Sequence, residues 1–124
     1  MRRKIIIHIL LPLFAGVLVY IIFREPVTSL HKFLHIGKAI FPLSNEPGNQ
    51  FLLFHFPDMC WSYALTSSLI LFTRFKRFVC AAIGIIALSV FELKQSGWHL
   101  QGLDWLDCGL MILAVLLAAL IIKK

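Results

Sequence analysis

The residues of this chain best suited to chemistry are its carboxylates, which lie near the ends of long apolar segments. The chain has six of them in 124 residues. Four lie where apolar segments begin or end, and two lie in the loop after the first segment: Asp58, Glu92, Asp104 and Asp107, then Glu25 and Glu46. An acidic side chain at bilayer depth is costly, so it marks a candidate functional site. Such carboxylates can bind a cation or a polar headgroup, or transfer protons.

Glu92 is the most informative of these carboxylates. It lies near the C-terminal end of its apolar segment, where the helix dipole disfavours an anion. The strictly apolar part of that segment is shorter than the roughly 20 residues that cross a bilayer. We therefore expect Glu92 to lie at the membrane boundary. Gln95 follows three residues later and shares its helix face.

A second polar pair with the same spacing, Asp104-x-x-Asp107, opens the next apolar segment. These two pairs and Asp58, which follows Pro57, predict a ligand-binding site at one end of a helix bundle. Asp58 and Asp104 also have a structural interpretation, because a carboxylate at a helix start can cap free N–H groups.

The sequence contains no GxSxG, HExxH or phosphate-loop motif. It therefore does not favour an enzyme, and it predicts no cofactor. Carboxylate and amide oxygens suit Mg²⁺ or Ca²⁺. Because the acids lack a tight ligand spacing, the sequence leaves the presence of a metal open.

The composition is that of a membrane protein. The chain is 60% hydrophobic and 15% charged, with a mean hydropathy of +0.87, whereas soluble domains are about half apolar and a quarter charged. The net charge of +6 comes from short basic clusters beside apolar runs. This pattern indicates a membrane topology with lipid headgroups as partners. It does not predict a nucleic-acid partner.

The apolar runs predict a single all-α domain over residues 1–124, a polytopic membrane helix bundle. Its four transmembrane helices are expected at about residues 5–23, 58–73, 78–95 and 104–122. Residues 28–41 are amphipathic and predict a short helix lying in the membrane interface after the first span. His8, inside the first span, is expected to pack or to form an interhelical hydrogen bond.

The basic residues favour an orientation with both termini inside. The inner segments would hold eight lysines and arginines and the outer ones four. The three tryptophans would then lie at the outer boundary, as in an aromatic belt. Cys60 and Cys108 would lie near the same face, where an oxidising compartment would permit a disulfide. The simpler interpretation is that both are small buried residues.

The order of the polar motifs resembles the VanZ-like family of small bacterial membrane proteins. The resemblance covers about residues 56–120 and rests on three motifs: Pro57-Asp58, Glu92-x-x-Gln95 and Asp104-x-x-Asp107. The residues after Asp58 are also similar to a Bacteroidetes-type subgroup, some of whose members are named magnesium–citrate secondary transporters. The resemblance implies a multi-pass protein of the bacterial cytoplasmic membrane. It also implies a role at the cell envelope, since the founding member is linked to teicoplanin resistance.

The chain departs from the family pattern at three places. Many members carry a histidine, a loop arginine and a last-helix asparagine where this chain has other residues: 60–62, 100–102 and 110–111. Mechanisms that need those side chains do not carry over.

Three functions are compatible with the sequence. The first is an envelope protein whose outer-face site, Asp58, Glu92, Gln95, Asp104 and Asp107, binds a lipid-linked or glycopeptide headgroup. The second is a small secondary transporter for a metal–citrate complex or a cation, working as a homo-oligomer because four spans offer little room for alternating access. The third is a non-catalytic membrane assembly subunit. Transporter sites usually lie near the bilayer midplane, which ranks transport second.

Overall fold

The chain forms a bundle of helices in the computed structural model, which describes residues 1–23, 32–35, 41, 44–98 and 104–123. No strand occurs in these ranges. The helices are α1 (Arg2–Phe23), α2 (residues 47–72), α3 (Arg77–Gln95) and α4 (Trp105–Ile121). The all-α prediction is confirmed. The predicted interfacial helix at residues 28–41 lies largely outside the described residues.

The first two helices each contain a five-residue π-helical turn that ends two residues before a proline. These turns are Ile6–Leu10, before Pro12, and Phe51–His55, before Pro57. Proline lacks an N–H and crowds the carbonyl four residues earlier, so it disrupts a regular helix. The wider turn keeps the chain helical across this point, with the N–H of Phe56 donating to the Phe51 carbonyl.

The π-helical turn corrects the expected start of the second helix. Regular α-helix begins at Phe56, close to the predicted residue 58, but the helical path already begins at Pro47. Asp58 therefore lies within a continuous helix and does not cap a free helix start. The sequence placed the boundary too late because it treated Pro57 as a helix start rather than as a proline inside a helix.

Helix α2 lies at the centre of the bundle and packs against α1, α3 and α4. The main apolar core joins the end of α2 to the start of α3 and the end of α4, through Ile70, Cys80 and Val115. At this end the Lys4 ammonium donates to the Lys123 carbonyl over 2.7 Å, so both chain termini meet there. We call it the terminal end, and we call the opposite end, which holds His55, Glu92 and Asp107, the site end.

Local sequence signals fix where α3 stops and α4 starts at the site end. Helix α3 ends in a Schellman motif, in which the Trp98 N–H donates to the Leu93 carbonyl and Gly97 has a positive φ of 66°. Helix α4 begins after Asp104, whose Oδ1 accepts from the N–H groups of Leu106 and Asp107 at 3.0 and 3.3 Å. The capping interpretation of Asp104 is confirmed.

The bundle buries small and polar side chains and exposes large apolar ones. Ser62, Thr66 and Ser67 are fully buried on α2. Gly84 of α3 permits close approach there, because a Cβ on it would lie 2.8 Å from Thr66 Oγ1. Large apolar side chains on the outer faces of all four helices are exposed, including Phe14, Phe72, Ile86 and Leu120.

Two helices of the described chain are long and apolar enough to cross a membrane. They are Arg2–Phe23 and Arg77–Gln95, and Trp105–Ile121 is a shorter apolar helix. Their bounds agree with the predicted segments to within three residues. The four-span arrangement and its orientation stay predictions.

Candidate functional site

A cavity of about 600 Å³ opens near the site end, between α1, α2 and α3. Its polar lining comes from two helices: Asp58 and Ser62 on α2, and Glu92 and Gln95 on α3. The i,i+3 spacing of Glu92 and Gln95 places both on the α3 face that looks towards α2. The structure thus brings together three of the five predicted site residues.

The rest of the cavity wall is apolar and aromatic. Tyr20 comes from α1, Trp61 and Leu65 from α2, Phe91 from α3 and Met111 from α4. Trp61 is 51% exposed and Phe91 is 56% exposed, so both lie at the open side of the cavity. The cavity is therefore amphipathic, with carboxylates on one part of its wall and hydrocarbon on the other.

Glu92 stands at the junction of the cavity with α4. It is half-buried and is close enough to Asp104 and Asp107 to feel their negative charge. Within the described part of the chain, no side chain or backbone group donates a hydrogen bond to its carboxylate, and no cation pairs with it. Glu92 thus has no protein partner for its carboxylate among the described residues.

Asp107 has a structural partner that the sequence did not suggest. His55, on the π-helical turn of α2, approaches it with Nδ1 3.1 Å from Asp107 Oδ1. Both side chains are largely buried, at 16% and 14% exposed. An ionised carboxylate only accepts hydrogen bonds, so Nδ1 carries the hydrogen. The one available signal for His55 was its place two residues before Pro57.

Asp104 and Asp107 do not line the cavity. Asp104 is exposed and caps α4, whereas Asp107 holds His55. Both contribute negative charge beside Glu92. The predicted five-residue site is therefore divided into a cavity group, Asp58, Glu92 and Gln95, and a neighbouring group that shapes its electrostatics.

The remaining sequence expectations have mixed outcomes. His8 forms the expected interhelical bond, with its Nδ1 2.7 Å from the Tyr63 hydroxyl. Cys60 and Cys108 are not disulfide-bonded; Cys60 is buried and Cys108 is half-buried.

The chemistry that this site supports is binding. No group of three or more His, Cys, Asp or Glu side chains among the described residues is arranged to hold a metal ion. The cavity presents hydrogen-bond acceptors beside an apolar surface, which fits a ligand with a polar head and a hydrocarbon part.

Comparison with protein-family models, curated proteins and solved structures finds no match to this chain. The VanZ-like resemblance stays a prediction that rests on the motifs quoted above.

Proposed function

We propose that this protein is a VanZ-like, multi-pass protein of the bacterial cytoplasmic membrane that binds the headgroup of a lipid-linked envelope molecule. The site is the cavity between α1, α2 and α3. Its carboxylates face the outside of the cell, and both termini face the cytoplasm.

The amphipathic cavity carries this proposal. A headgroup would lie against Asp58, Glu92 and Gln95, and its hydrocarbon part against Leu65 and Phe91. The volume of about 600 Å³ lies within the range of about 300–1,000 Å³ that is usual for small-molecule sites. An open side between helices, lined by exposed aromatic residues, suits a ligand that enters from the bilayer.

The surface of the bundle supports a membrane location. Large exposed apolar side chains cover the outer faces of all four helices, whereas soluble monomers rarely expose extended apolar patches. Buried serine and threonine side chains between closely packed helices are typical of membrane bundles. The basic residues at the terminal end favour a cytoplasmic position for that end.

The position of the acids favours binding over coupled transport. Glu92 lies towards the site end of the bundle, whereas transporter sites usually lie near the midplane. Asp58, by contrast, lies near the middle of α2. The middle parts of α1, α3 and α4, such as residues 80–88 of α3, carry no carboxylate.

Lipid that co-purifies with the protein tests the proposal. Wild type and Glu92→Gln are expressed in a bacterial host and purified in mild detergent, and bound lipids are identified by mass spectrometry. We expect an envelope lipid to remain with the wild type and to be depleted in Glu92→Gln.

Glu46→Gln is the matched control. Glu46 is an exposed carboxylate before α2 and does not line the cavity, so its variant is expected to retain lipid like the wild type. The same lipid content in all three proteins would overturn the proposed function.

A further inference from the structure

The charge of the cavity wall indicates which headgroup it accepts. Asp58 and Glu92 line it, and Asp104 and Asp107 add negative charge beside Glu92. No lysine or arginine is among the described residues of the wall. His55, whose Nδ1 lies 3.1 Å from Asp107 Oδ1, is already engaged by that carboxylate. Among the charged side chains of the described wall, a phosphate or sulfate entering the cavity would therefore meet only like charge.

Two aromatic residues reinforce this preference. Tyr20 and Trp61 line the cavity from α1 and α2, and Trp61 follows Asp58 by one helical turn on α2. The face of an indole or phenol ring attracts a cation, and most strongly where water is partly excluded. A carboxylate beside an aromatic ring is a combination that suits ammonium groups.

The described residues supply no hydrogen-bond donor to the half-buried Glu92. Its carboxylate has no hydrogen-bond donor within the described ranges, although it lies beside two further acids. An amine would donate hydrogen bonds and also offset this charge. A metal ion is less suited, since no set of three ligands is arranged for one among the described residues.

The geometry points to an amphiphile with a cationic amine headgroup and a hydrocarbon part as the occupant of this cavity. The ammonium lies between Glu92, Asp58 and the Trp61 ring, and the hydrocarbon part lies along Leu65 and Phe91. This inference rests on the proposed function and narrows it: the headgroup that the cavity binds carries a cationic amine.

A series of bromine-tagged dodecyl probes tests the inference in nanodiscs of zwitterionic lipid. The probes carry trimethylammonium, maltose or sulfate heads. The protein has three tryptophans, and Trp98→Phe and Trp105→Phe leave only Trp61. Bromine quenching of Trp61 fluorescence therefore reports a dodecyl chain in the cavity. Trp98 and Trp105 are both exposed, so these replacements remove no core packing.

We expect saturable quenching by the trimethylammonium probe at a lower concentration than by the other two. Glu92→Gln should weaken its binding about tenfold, as the loss of a charge-assisted contact predicts. Glu46→Gln should leave it unchanged. Ala87→Phe, which fills the cavity from the exposed side of α3, should abolish saturation for every probe.

The other outcomes separate the two proposals. If the maltose or sulfate probe binds as well as the ammonium probe and Ala87→Phe still blocks it, the cationic inference fails while lipid binding stands. If no probe gives saturable quenching that Ala87→Phe removes, both proposals fail.

Discussion

His55 donates a hydrogen bond to Asp107 across 3.1 Å and thereby joins the π-helical turn of α2 to the first turn of α4. This hydrogen bond keeps Asp107 next to Glu92 and occupies one of the carboxylate oxygens of Asp107. Glu92 is consequently the carboxylate that faces the cavity without a partner among the described residues.

Breaking this pair should destabilise the bundle. Asp107→Ala leaves the largely buried His55 ring without its acceptor, at an expected cost of about 1–3 kcal/mol in the free energy of unfolding. The measurement is denaturant titration in detergent micelles. A double-mutant cycle with His55→Ala should give a coupling of about 0.5–3 kcal/mol, whereas additive effects would show that the contact contributes nothing.

Asp104 should act mainly as a helix cap. Asp104→Ala removes the acceptor of the Leu106 and Asp107 N–H groups and should lower the free energy of unfolding by about 1 kcal/mol. Asp104→Asn keeps a capping oxygen and should retain most of the stability. Equal losses in both variants, measured by the same titration, would mean that the charge rather than the cap is what stabilises α4.

Gly84 should not tolerate a side chain. Its Cβ would lie 2.8 Å from Thr66 Oγ1, so Gly84→Ala must separate α2 from α3 and should cost about 1–3 kcal/mol. Gly109 of α4 is the matched control, since a Cβ there meets nothing within 4 Å. Gly109→Ala should be neutral or stabilising by up to about 1 kcal/mol. Thr66→Ala should partly rescue Gly84→Ala; a Gly84→Ala protein as stable as the wild type would contradict this packing.

The proposed orientation can be tested by thiol labelling. Asn45→Cys, before α2, should react with a membrane-impermeant maleimide in intact spheroplasts, whereas Lys123→Cys should react only after permeabilisation. Both positions are exposed, and Cys60 and Cys80 are buried, so a Cys108→Ser background gives a low native signal. Labelling of Lys123→Cys from outside would contradict a cytoplasmic C-terminus.

The sequence predicted the bounds of α1, α3 and α4 closely because a local signal marks one end of each apolar run. Arg24 follows the apolar run of α1, Gly97 belongs to the Schellman motif that ends α3, and Asp104 caps the start of α4. The start of α2 was misjudged because Pro57 looks like a helix start when the π-helical turn before it is not known.

The candidate site was only partly accessible to sequence reasoning. The spacing of Glu92 and Gln95 gave their shared face, but His55 was missed because its partner, Asp107, is 52 residues away. Which acids line the cavity and which lie beside it depends on how α1 and α3 pack around α2. No local sequence pattern specifies this packing.

Photocrosslinking from the cavity wall in living cells tests the central claim most directly. Phe91 is replaced with benzoylphenylalanine, and Phe72, which is similarly exposed but lies near the terminal end of α2, serves as the control position. After irradiation, the mass of the purified protein is measured. We predict a discrete lipid adduct at position 91 that Glu92→Gln diminishes and that position 72 does not form. No adduct at position 91, or the same adducts at both positions, would contradict a headgroup-binding cavity.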